Sequence, residues 1–206
     1  MTNIFQKLIS IVFHPLLLPT YTVLYFFIAP SYLNLYPTAL KQAILLMIFL
    51  SSFIAPMLFI LILYNLNKIS TIQIYDAKER HIPFIISFIF NTITFLILLK
   101  LPIEIPSIIL CVFVVVNINL LIVLFLNRNF KISTHMIGMG GMVGYLFIFH
   151  VINNIEFVSP LCILLLLAGV VGTSRLKLNI HNSAQIYSGF LLGLISGLCS
   201  IFIVFI

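Results

Sequence analysis

The stretch Ser107–Leu126, SIILCVFVVVNINLLIVLFL, runs for twenty residues without a charge. At 1.5 Å of rise per residue such a helix reaches across the roughly 30 Å of hydrocarbon in a bilayer. Working outward from it, six further stretches qualify: 8–29, 43–65, 82–99, 136–152, 157–173 and 186–206. The chain of 206 residues is 63% hydrophobic and 7% charged, with a mean hydropathy of +1.28. Soluble domains are about 25% charged. Little chain remains between the stretches, so the expectation is one all-α, polytopic transmembrane domain over 1–206, with six to seven spans. Pro15 and Pro19 each remove a backbone donor, so 8–29 is expected to be kinked or re-entrant.

The amino-terminal MTNIFQKLISIVF has one lysine and an apolar run with no small-residue cleavage site after it, which reads as an uncleaved anchor. Cys111, Cys162 and Cys199 stand alone in apolar spans, so small buried hydrophobe is the expected role and no disulfide or thiolate site is expected. The net charge of +6 is spread too thinly for a nucleic-acid surface. It suits anionic headgroups or a phosphorylated partner.

Polar residues collect in three islands: 66–81 (LNKISTIQIYDAKERH), 127–135 (NRNFKISTH) and 174–185 (SRLKLNIHNSAQ). They hold nine of the fourteen charged residues. Two spans separate the first island from the second, and two more the second from the third. An even number of crossings returns the chain to the same face, so all three belong on one side. Gly189, Gly193 and Gly197 repeat every fourth residue in the last span, as Gly140 and Gly144 do in the fifth, a spacing that lets helix backbones approach closely. Glycines 138–144 are also expected to leave room near His135.

Topology alone favours Lys and Arg in short loops, so the chemistry must be argued from particular residues. Ser133, Thr134 and His135 precede the fifth span, where a helix N-terminus offers free N–H groups to an anion, with Lys131 just before it. For Ser133 alone, plain helix capping is the simpler reading. Arg175 can bind a phosphate bidentately, and His181, six residues on, carries an imidazole able to attack phosphorus. His14, Asn91, Asn117, Asn119 and His150 lie within spans, where polar groups line paths or bond helix to helix. The second reading is preferred, because no carboxylate accompanies them.

S-x-H (Ser133, His135), followed after 38 intervening residues by S-R-x5-H (Ser174, Arg175, His181), resembles the second and third motifs of the type 2 phosphatidic acid phosphatase superfamily. The likeness covers about 76–193. The family's P-S-G-H is here I-S-T-H, and the aspartate four residues after the last histidine is replaced by Gln185. The first motif, K-x6-R-P, is matched least well: Arg80 is its arginine, Pro83 is not adjacent, and Gln73 stands in the lysine position, with Lys78 nearby.

The resemblance implies a metal-independent membrane enzyme, without a cofactor, that removes phosphate from lipid phosphates or polyprenyl (di)phosphates. His181 would form a phosphohistidine and His135 would protonate the leaving oxygen. Arg175, Arg80, Ser133 and Ser174 would hold the phosphate, and Lys131, like Lys78 and Lys177, is a helper by its charge with no motif behind it. Gln185 can orient the His181 ring but adds no charge, so Asp76 or Glu79 is weighed as a substitute carboxylate. The alternative is a non-catalytic binder or transporter of phosphorylated lipid on the same scaffold. Counting cations with seven spans puts eight on the island side against Lys41 and Lys100, which reads as cytoplasmic. Removing Lys78, Arg80, Arg128, Lys131, Arg175 and Lys177 leaves a tie, and the resemblance leans toward the outer face of a bacterial inner membrane.

Overall fold

The structure, a computed structural model, describes residues 2–204 except 73, 75 and 128, so Gln73 and Arg128 lie outside the described residues. Side chains are described for 4–202 within that range. Among the described residues eight helices carry the fold: α1 Thr2–Val12, α2 Leu18–Ile28, α3 Thr38–Asn65, α4 His81–Leu99, α5 Ser107–Leu126, α6 Thr134–Asn153, α7 Val158–Lys177 and α8 Ser183–Cys199. Five of them, α3 to α7, are long and apolar enough to cross a membrane, and the chain is built as an integral-membrane helical bundle. The last expected stretch, 186–206, falls on the 17-residue α8 and a helical turn at Ile201–Val204.

α6 is the axis. Of its apolar window 72% is buried, against 28–44% for the other four long helices. The glycines explain how it reaches that depth. A Cβ at Gly197 would stand 2.7 Å from the Gly141 carbonyl, one at Gly144 2.7 Å from the Leu194 carbonyl, and one at Gly193 would run into the Ile137 carbonyl. The two helices therefore meet backbone to backbone, as the sequence spacing requires. Gly138 does not leave room near His135, because Leu18 of α2 occupies that space.

The stretch 8–29 is not a single span. Phe13 N–H closes α1 on Ile9 O, and His14 and Leu17 then make tight turns on Ile11 O and His14 O. Pro15 sits in the resulting break and Pro19 in the first turn of α2, where its missing donor does no harm. The direction then reverses. α1 climbs beside α7, with Ser10 at the level of Arg175, whereas α2 descends beside α6 from Leu18 at Gly138 to Tyr25 at His150. Tyr21 ties the hairpin by donating to Val12 O at 3.1 Å.

α1 is inside out by the standards of a water-soluble helix. Gln6 and Ser10 are buried, while Ile4, Phe5, Leu8 and Ile11 remain exposed, as a face against lipid should be. α3 carries a π-helical turn at Leu50–Ile54, immediately before Ala55-Pro56. A proline ring displaces the carbonyl four residues back, and a wider turn accommodates it. That turn aims Ser52 Oγ at Leu16 O in the break, 3.4 Å away.

Three of the five intramembrane polar groups bond helix to helix. His150 pairs with Tyr25 of α2, Asn117 with Thr92 of α4, and Asn119 with Ser196 of α8. Asn91, Asn119, Ser52 and Thr22 also line a cavity of about 90 Å³ beneath the break.

Gly193→Leu is expected to destabilise the bundle by about 3 kcal/mol, the upper end of overpacking costs. Gly169→Leu should cost little, because a Cβ at Gly169 meets nothing within 4 Å. Thermal unfolding of both variants in detergent checks the contrast.

Candidate functional site

The three islands meet, and hydrogen bonds join them. Asn127 Nδ2 donates to Ala77 O at 2.7 Å, linking the second island to the first. Ser133 N–H donates to Gln185 O at 3.2 Å, linking the second to the third. The third island is shaped by the end of α7, where Asn179 adopts a left-handed conformation (φ 54°) and Ile180 N–H returns to Arg175 O. That stop turns His181 back over the bundle, buried, just ahead of α8.

α8 opens with a capping box. Asn182 Oδ1 accepts from Gln185 N–H at 3.0 Å, and Gln185 Oε1 accepts from Asn182 N–H at 3.3 Å. A backbone N–H can only donate, so the amide atom facing it is the oxygen. The same oxygen lies 3.1 Å from His181 Nδ1, and Lys131 O lies 3.2 Å from that nitrogen. Two acceptors around one ring nitrogen place the proton on Nδ1 and leave the lone pair on Nε2. Gln185 thus fixes the ring's tautomer, with no negative charge behind it.

His181 is held at a pKa of about 4. Burial is the main cause, followed by the charges of Arg175 and Arg80, with Lys131 adding to them and the Gln185 hydrogen bond opposing. The ring is neutral at pH 7 and stands among three cations. Lys131 is itself harder to protonate than usual, through burial first and then Arg80, with Asp76 opposing.

His135 is buried at the start of α6, and its Nε2 lies 3.0 Å from Ser10 O. A carbonyl only accepts, so this nitrogen carries hydrogen. The Ser10 carbonyl is available because the helical break diverts His14 N–H to Ile11 O. Arg175 Nη1 donates to Ser10 Oγ at 3.2 Å, so one residue of α1 touches both groups. The His14 ring packs edge-on against His135 at 5.7 Å. The Arg175 charge acts on all three imidazoles, His14, His135 and His181.

The other expected residues divide. Arg80 is buried beside the cluster with its Nε on Ile74 O at 3.0 Å. Ser133 does not cap α6 with its side chain, and its buried Oγ has no hydrogen-bond partner among the described residues. Ser174 is not brought in, since its hydroxyl donates to Val170 O within its own helix at 2.8 Å. Glu79 is not a substitute carboxylate: its Oε2 accepts from both Ser70 N–H and Ser70 Oγ at 3.0 Å. Asp76 acts on Arg80 and Lys131, and it also accepts from Lys78 N–H. Ser10 was missed, although Gln6 and Ser10 stand at i and i+4 on one face of α1, a legible sign of a polar stripe.

Among the described residues no group of three His, Cys, Asp or Glu side chains gathers as a metal site. No family model, curated protein or solved structure matches this chain.

The depressed His181 pKa has a sign. Between about 4 and 6.5 the unfolded chain binds a proton on this ring that the folded chain refuses, so stability falls as pH drops through that window. Gln185→Glu keeps the reach of the capping box and adds charge, and it is expected to raise the His181 pKa. Imidazole titration by NMR, with unfolding midpoints at pH 4–7, checks both.

Proposed function

We propose that this chain is a metal-independent membrane phosphatase acting on lipid phosphates or polyprenyl (di)phosphates through a phosphohistidine. The observation that carries the reading is the orientation of His181. Its proton is fixed on Nδ1, its Nε2 lone pair is free to bond, and Arg175, Arg80 and Lys131 surround it. Phosphoryl transfer needs chiefly positioning and neutralised charge, which this cluster supplies.

Nε2 of His181 forms a bond to phosphorus as the bond from phosphorus to the lipid oxygen breaks. A phosphate dianion beside His135 favours the doubly protonated ring, and that imidazolium protonates the departing lipid oxygen. Water then attacks the phosphohistidine, returning its proton to His135 and releasing inorganic phosphate. Arg175 and Arg80 hold the phosphoryl oxygens in both steps.

The topology proposed with this reading has six crossings, α3 to α8, with the 11-residue α2 entering from the island side without spanning, and it puts all three islands on one face. The family resemblance favours the outer face of a bacterial inner membrane. A second reading, a non-catalytic binder of phosphorylated lipid, is favoured by two observations: Gln185 brings no charge to His181, and Ser10 already engages His135 Nε2 and Arg175 Nη1.

Phosphate release from a panel of lipid phosphates in detergent micelles separates the two. An enzyme is expected to lose turnover with His181→Ala while still binding the lipid. It should slow about 10²–10⁴-fold with His135→Ala, the usual contribution of a general acid. Gln185→Glu should raise turnover. Activity that survives His181→Ala ends the phosphohistidine assignment, and binding without release in every version selects the binder.

A further inference from the structure

α1 and α7 do not close against each other along their whole length. Between them lies an open groove of about 470 Å³ on the outer surface of the bundle, walled by Phe5 and Gln6 on one side and by residues 165–177 of α7 on the other. Its α7 wall changes character in one direction. From the bilayer interior toward the islands it runs Leu165, Leu166, Gly169, Thr173, Lys177. Apolar residues come first, then a hydroxyl, then an ammonium. Gly169 opens the floor, because a Cβ there would meet nothing within 4 Å.

Two further observations point to a ligand. The Oε1 of Gln6 is buried at the groove with no hydrogen-bond partner among the described residues. An orphaned acceptor in a lipid-facing cleft is costly unless a donor reaches it. The groove also ends at Ser174 and Lys177, which flank in sequence the buried Arg175, whose Nη1 meets Ser10 Oγ. One cation, Lys177, thus lines the mouth, with Arg175 behind the wall, and no carboxylate lines the groove among the described residues.

We propose that this groove binds one single-chain lipid phosphate from within the bilayer. The chain lies over Gly169, a headgroup hydroxyl donates to Gln6 Oε1, and the phosphate meets Lys177 at the edge of the cluster. The groove is thereby the lateral entrance to the His135 and Arg175 site, with Ser10 of α1 the contact an arriving phosphate displaces. The assignment of a phosphorylated ligand rests on the reading above, but binding is measurable without turnover.

The test is photolabelling in nanodiscs with lysophosphatidic acid carrying a diazirine in its tail, beside the matching neutral monoacylglycerol. Labels mapped by mass spectrometry are expected on Phe5 and on residues 165–170, in excess over Leu121 and Phe125, which also face outward on α5. Gly169→Trp should remove those labels. Lys177→Gln, at an exposed position that leaves packing untouched, should weaken the phosphate lipid by roughly tenfold, the value of one charge-assisted hydrogen bond, and leave the neutral lipid unchanged. Labelling spread evenly over the lipid-facing surface, or equal for the two lipids, overturns the groove. Groove labelling without phosphate release keeps the entrance and discards the phosphatase.

Discussion

Contact between the backbones of α6 and α8 is the constraint on which the site depends. Side chains at Gly193, Gly197 or Gly144 would hold the two helices apart. With them together, Ser133 N–H reaches Gln185 O, and the start of α8 is fixed to the start of α6. His181 and Lys131 then fall on opposite sides of one hydrogen bond. In a bilayer this closeness has no hydrophobic drive behind it, since lipid tails are as apolar as leucine, so packing and interhelical hydrogen bonds must supply it. The polar cluster is thus built on a stripe of residues that carry no chemistry themselves.

The most instructive part of that cluster is what a neutral amide achieves. A carboxylate behind an imidazole both orients the ring and stabilises its protonated form. Gln185 does the first through geometry alone, with its oxygen shared between Asn182 N–H and His181 Nδ1. Its length matters, because the same side chain must close the capping box. The second task is left undone, and the surrounding cations push against protonation. The ring is therefore well aimed and poorly buffered, which suits a nucleophile better than it suits a proton carrier.

Much of this was legible in the chain. Crossing parity put the three islands on one side from hydropathy alone, and the four-residue glycine spacing identified the contacting helix faces. The Gln185 partnership followed from its distance of one helical turn from His181. What failed did so for physical reasons. Pro15 and Pro19 announced a kinked or re-entrant stretch, and the chain does reverse there, but they did not say which neighbours α1 and α2 would find. Ser174 has the motif's identity, yet a serine in a helix near lipid spends its proton on the carbonyl four residues back. Ser133 was expected to cap and does not, because its hydroxyl is enclosed where α8 crosses. Ser10 escaped notice because its role is played largely by a backbone carbonyl, which every residue possesses.

The inverted polarity of α1 has a consequence for biogenesis. Its buried stripe finds its partners late: Ser10 is 125 residues from His135 and 165 residues from Arg175. Ribosomes add about 5–20 residues per second, so on the order of ten seconds pass between the synthesis of α1 and that of α7. During that interval the partners of Ser10 are not yet made, and an 11-residue helix is too short to span the bilayer alone. α1 must wait at the interface, its apolar face in the lipid and its polar stripe toward water, until α6 and α7 are inserted. α1, made well before α6 and α7, is then among the last helices of the bundle to reach its place.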